Sequence, residues 1–343
     1  MERKVYIDYI KALGILLVIM YHCSFVPMNS MLLYSAYAIC VPLFFMVNGY
    51  LMLRKEHTVR ELLLKDLKIL FVLFFWAFIA SVVGDATIGD GLSHGWGAFC
   101  KDIALGTIII KHEYAPHLWF LKVIIILNLL NPVIYSFIKR SESNIKYLII
   151  LLSLFAVKFL AQVTGLIVNP MKWQYSYAIL YYVLGYALFD GYLGTEKLKK
   201  WQIGFLIAVF ALLQWGENWL FTEGPLQTIG TNSPWIVADD IVFYSYDAPF
   251  IVLLTMCVCA LMQQILWNGN KVIQFVGQYS LAIYVMQTPI QKMWEWVRSS
   301  VDLLSAIPYS WWTAILVILT LSTCMALTRL MIMNKYTKFL ISI

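Results

Sequence analysis

The 343 residues are 61% hydrophobic and 16% aromatic but only 13% charged, about half the charge of a soluble globular chain. With a mean hydropathy of +0.75 this excludes the soluble classes. The formal net charge of +6 does not point to nucleic acid either, because the basic residues gather between apolar runs.

Apolar runs long enough to cross a bilayer fall at 7–26, 33–53, 67–86, 117–138, 145–165, 173–190, 201–221, 245–267, 273–294 and 311–333. They predict an all-α polytopic membrane bundle of about ten transmembrane helices, in a single domain over residues 1–343 with the lipid bilayer as its solvent and partner. With the N-terminus inside, seventeen basic residues lie in inner segments: Arg3, Lys4, Arg54, Lys55, Arg60, Lys65, Lys68, Lys139, Arg140, Lys146, Lys197, Lys199, Lys200, Lys271, Arg329, Lys335 and Lys338. Only Lys101, Lys111, Lys122, Lys172, Lys292 and Arg298 fall outside. Lys and Arg near helix ends are retained on the cytoplasmic face, so the expected topology is N-in, C-in.

The first run, Tyr6 to His22, places Asp8, Lys11 and His22 in an otherwise apolar helix. Residues 12–20 resemble the core of a secretory signal, but Asp8 and Lys11 interrupt its flank and a second apolar segment follows, so it reads as a retained helix. At about 100° per residue, Lys11 and His22 share one face about 16–17 Å apart. Asp8, three residues before Lys11, can pair with it. Ionisable groups in hydrocarbon normally face protein or a watery cavity. The plainer accounts are a lysine anchored at the interface and a structural histidine. Imidazole is also the side chain best suited to proton transfer near neutral pH.

Further along, the six cysteines Cys23, Cys40, Cys100, Cys257, Cys259 and Cys324 form no C-x-x-C and mostly sit in apolar runs, where they read as small hydrophobes. The outer connections 87–116 and 222–244 are longer than packing requires, as substrate surfaces or as plain solvated loops. The second carries Glu223, Asp239 and Asp240 without Lys or Arg. His112 and His117 are five apart with Pro116 between them, which breaks the H-E-x-x-H spacing, so no metal is expected there. Lys158 and Glu217 either pair with a neighbouring helix or line a cavity. Asp247 either caps the eighth helix or binds an acceptor.

Four segments together resemble the acyltransferase-3 family of integral membrane acyltransferases. Lys11 and His22 match the family's basic residue, ten others, then histidine, with lysine for the usual arginine. Val41-Pro-Leu-Phe-Phe-Met-Val-Asn-Gly-Tyr-Leu51 matches V-P-x-F-F-x-x-S-G-Y, with Asn48 where serine is usual. His117-Leu-Trp-Phe-Leu121 opens the fourth helix, and Gly277 to Gln287 ends on glutamine where the family commonly has histidine. The likeness runs from about residue 6 to residue 334. It implies a bacterial cytoplasmic-membrane enzyme that moves an acyl group, most often acetyl, from cytoplasmic acyl-CoA to a hydroxyl of an extracytoplasmic saccharide.

On that resemblance Lys11, with Arg54, Arg60, Lys65 and Lys68 at the inner mouth, is expected to hold the CoA phosphates. The alternative is that the last four are only positive-inside residues. His22 is expected to act as general base, with an acyl-histidine intermediate left open. Asn48, His117 and Trp119 are candidate oxyanion donors, against packing at Trp119 and close helix approach at Asn48-Gly49. Gln287 can orient a group by hydrogen bonding but cannot act as a base. No permanently bound cofactor is expected; acetyl-CoA or another acyl-CoA enters as donor substrate, an extracytoplasmic glycan is the acceptor, and a homo-oligomer is left open. The rival reading is a transporter or flippase of saccharides or small acids, which a polar stripe among ten helices also suits. A membrane sensing or uptake module is a third.

Overall fold

A computed structural model describes residues 4–24, 36–88, 115–140, 174–222, 248–265 and 269–341, with short pieces at 95–97, 101, 146–147, 149, 153 and 246. Every regular element among them is helical. In chain order they are α1 (Val5–His22), α2 (Cys40–Leu53), α3 (Val59–Ile88), α4 (Trp119–Lys139), α5 (Gln174–Phe189) and α6 (Lys200–Thr222), followed by α7 (Pro249–Gln264), α8 (Lys271–Gln278), α9 (Ser280–Ser300), α10 (Asp302–Ser305), α11 (Tyr309–Ile332) and α12 (Lys335–Phe339). Single 3-10 turns at Pro116–Leu118 and Thr195–Lys197 precede α4 and α6. Nearly all of the expected span 145–165, most of the two long outer connections, and His112, Glu113, Lys158, Glu223, Asp239, Asp240 and Asp247 lie outside the described residues.

Among the described residues, six stretches are long and apolar enough to cross a membrane: Val5–His22, Ala36–Leu53, Val59–Gly84, Trp119–Lys139, Lys200–Leu220 and Tyr309–Ile332. The runs expected at 173–190 and 245–267 become shorter apolar helices, Tyr177–Phe189 and Pro249–Gln264.

Three expectations are corrected. The run expected at 273–294 is not one helix: α8 and α9 meet at Tyr279, and α9 continues to Ser300. Its Gln287, Gln291, Lys292, Glu295 and Arg298 make it too polar to count with the six. The helix expected from 67 begins at Val59, so Arg60, Lys65 and Lys68 ride on α3 instead of lying in a connection. Thr58 and Glu61 start it as a capping box: the Glu61 amide donates to Thr58 Oγ1 at 3.2 Å, and the Thr58 amide to Glu61 Oε2 at 3.1 Å. Finally, Lys122 and Lys292, expected in outer connections, lie within α4 and α9. Lys122 is buried, and Lys292 Nζ would sit 3.4 Å from a Cβ placed on Gly84 of α3.

The chain forms two compact units, each assembled from separated stretches. The first comprises residues 1–17, 27–56 and 133–274. Its centre is the crossing of α2 and α5, where a Cβ on Gly49 would overlap the Tyr182 carbonyl and one on Gly185 the Met46 carbonyl. Only glycine lets the two backbones touch, the usual device where helices associate without a hydrophobic driving force. At one end of this unit cations lie over tyrosine rings, Lys4 over Tyr6 and Tyr50, and Lys139 over Tyr135 and Tyr186. The Tyr9 hydroxyl accepts from the Asn270 amide at the same end of α1 (2.8 Å).

The second unit comprises residues 18–26, 57–132 and 275–343. Here α9 packs on α11 and α3, and the turn Pro116–Leu118 rests against α9. Asn128 Nδ2 of α4 donates to the buried carboxylate of Asp66 on α3 at 2.7 Å, which satisfies part of an otherwise costly buried group. After α12 the chain returns to α3, where Trp76 Nε1 donates to the Leu340 carbonyl at 3.1 Å.

Candidate active site

In the second unit a row of polar side chains runs along α9. Ser280, Tyr284, Gln287, Gln291, Glu295 and Arg298 recur at intervals of four, three, four, four and three residues. At about 100° per residue they fall within about 80° of one another and form one polar stripe. Interior proline at Pro289 removes one backbone donor within the stripe.

Two rungs of the stripe hold the segments that carry the motif histidines. Tyr284 Oη donates to the backbone carbonyl of His117, and the two rings meet edge to face with centroids 6.4 Å apart. Gln291 Nε2 donates to the backbone carbonyl of His22 at 2.5 Å, closing off the last turn of α1. The imidazole of His22 is half-buried and sits edge-on to Tyr21, centroids 5.4 Å apart. One residue on, the buried Cys23 thiol lies near Thr320 of α11 and Glu295. Glu295 Oε1 in turn accepts from Trp312 Nε1 at 3.1 Å. Between the two histidine contacts lies Gln287, 1% exposed. Neither atom of its amide has a hydrogen-bond partner among the described residues.

Gln287 lies one helical turn back along α9 from Gln291, whose side chain holds the His22 carbonyl.

A family model described as an acyltransferase domain matches residues 4–329, nearly the whole chain. The chain belongs to the acyltransferase-3 family. Searches of curated proteins and of solved structures find no match. The acyltransferase is thus a multi-pass membrane enzyme by its family and its long apolar helices.

Of the residues singled out in sequence, His22, His117 and Gln287 converge on the α9 stripe of this acyltransferase. Trp119 follows His117 into α4, its indole edge-on to Phe120 at 6.4 Å. Lys11 pairs with Asp8 at 3.8 Å, as the three-residue spacing predicts. Arg54 is engaged by Asp190 at 3.5 Å and lies over Tyr50. Lys68 lies over Phe339, Lys65 is half-buried beside Asp66, and Arg60 is exposed. Asn48 is on α2 in the first unit, next to the glycine that the α5 backbone presses against; its Nδ2 is buried without a hydrogen-bond partner among the described residues.

Sequence reasoning missed Tyr284, Gln291 and Glu295. The signal was present as the four-three-four polar spacing from 280 to 298. It was hidden because the apolar residues between them made 273–294 look like one membrane-crossing run.

Proposed function

We propose that this acyltransferase is an O-acyltransferase, most simply an O-acetyltransferase, of a bacterial cytoplasmic membrane. It moves an acyl group from cytoplasmic acyl-CoA to a hydroxyl of an extracytoplasmic glycan. The observation that carries this reading is α1 itself. One helix bears the Asp8–Lys11 ion pair near its start and, at its last turn, a histidine whose carbonyl is clamped by Gln291. The rise between Lys11 and His22 is about 16–17 Å, a length suited to an extended pantetheine arm. The collection of Lys4, Arg54 and Lys139 near the N-terminal end of α1 and the C-terminal ends of α2 and α4 supports an N-in orientation.

In this reading Lys11 attracts the CoA phosphates and His22 works at the acyl group. The neutral imidazole takes the proton of the acceptor hydroxyl as its oxygen attacks the thioester carbonyl carbon. The tetrahedral intermediate collapses with cleavage of the C–S bond. The imidazolium returns its proton to the departing sulfur, so CoA leaves as the thiol and histidine is regenerated. A hydrogen-bond donor near the developing oxyanion lowers that barrier, and His117 and Trp119, just before and at the start of α4, are the candidates in the same unit as His22.

The test is transfer from labelled acetyl-CoA by the purified full-length protein, joined to mass spectrometry of surface glycans from cells with and without it. Acetyl esters that disappear with the protein support the reading. Glycans unchanged by its loss, with no consumption of acyl-CoA in vitro, overturn it in favour of transport.

A further inference from the structure

A primary amide buried in a membrane protein with all of its hydrogen-bonding capacity open is costly, because an unpaired buried polar group loses its water without replacement. Gln287 is such a group: it is 1% exposed, and neither Oε1 nor Nε2 is paired among the described residues. Its neighbours on the stripe are both committed, Tyr284 to the His117 carbonyl and Gln291 to the His22 carbonyl. The open amide is therefore held in register between two fixed rungs, on the face that meets both histidine segments.

The pattern of what is open defines the chemistry of a fitting ligand. An amide side chain offers a carbonyl acceptor and N–H donors side by side. A thioester carbonyl can only accept, so it satisfies half of the group. The N–H of a secondary amide, whose trans geometry turns its own carbonyl to the opposite side, satisfies the other half at Oε1. Acyl-CoA carries such an amide in its cysteamine segment, three bonds from the sulfur, or about 4 Å. Gln287 lies four residues back from Gln291, about 6 Å along α9, and Gln291 holds the His22 carbonyl. A thioester held at the level of His22 puts its cysteamine amide near the level of Gln287.

We propose that Gln287 is a donor-binding residue whose buried amide pairs with the cysteamine amide of acyl-CoA and sets the depth at which the thioester stops beside His22. This rests on acyl-CoA being the donor and on His22 as the reacting end.

The test compares binding of acetyl-CoA with that of an analogue in which the cysteamine amide nitrogen is replaced by oxygen, on the full-length protein in lipid nanodiscs by titration calorimetry. Wild type is expected to bind the amide donor about 5–30-fold more tightly, the effect of one buried hydrogen bond. In Gln287→Met, nearly unchanged in volume, the preference should fall to within about twofold. Gln287→Leu provides a second variant should the first not fold. A wild type without preference, or a preference that survives in Gln287→Met or Gln287→Leu, overturns the role of Gln287 alone. A wild type that binds neither compound overturns the donor reading and this assignment with it.

Discussion

The crossing of α2 and α5 and the polar face of α9 solve the same problem, holding helices together where water is absent, by opposite means. At the closest approach of the crossing no side chain intervenes: Gly49 and Gly185 bring backbone against backbone. Along α9 the helices are held by side-chain donors reaching backbone carbonyls on other segments, from Tyr284 to His117 and from Gln291 to His22. Backbone contact is rigid and chemically mute. Polar rungs hold just as firmly, and they position groups that can react. The contrast fits scaffolding at the first site and, on the proposed function, chemistry at the second.

The strongest way to break this comparison is to add bulk to the crossing. Gly49→Val and Gly185→Val each push a side chain into a backbone that cannot move aside, a worse case than the ordinary overpacking cost of about 1–3 kcal/mol. Neither variant should yield monodisperse protein on detergent extraction; a folded, active Gly185→Val would show the crossing to be loose. Next in size, His22→Ala should lower acyl transfer by about 10²–10⁴-fold while its thermal midpoint stays at the wild-type value. Near-normal turnover by that purified variant would discard the histidine as base.

Smaller effects sharpen the contrast. Gln291→Leu removes the rung under His22 and should reduce kcat by about tenfold through misplacement of the imidazole, with KM for the donor unchanged. A rise in KM alone would make the rung part of donor binding. Lys11→Ala should raise KM for acyl-CoA several-fold, and Lys11→Arg should behave as wild type because either cation can meet a phosphate. Smallest of all, Thr58→Ala opens the capping box of α3 and should cost about 1 kcal/mol of stability with transfer rates unaffected, a change read from the thermal midpoint.

Much of this was legible in the chain. The predicted helix at 7–26 is α1, and the pairing of Asp8 with Lys11 follows from their spacing. The early start of α3 was legible too, in Thr58-Val-Arg-Glu61, but its charged first turns read as a connection because hydropathy was the guide. The α9 stripe was harder. Tyr284 and Gln291 gain meaning only from the carbonyls they reach, 167 and 269 residues away in sequence.

Composition and the period of the apolar runs determined by themselves that this protein is a helical membrane protein, because no water is present in a bilayer to pair an unsatisfied backbone. Local spacing likewise determined which residues share a face of α1. Which helices touch, that Gly49 lies under a neighbouring backbone, and that Gln287 is left open between two engaged rungs were decided only by tertiary structure. Those facts depend on contacts between segments far apart in the chain, whose geometry no local period encodes.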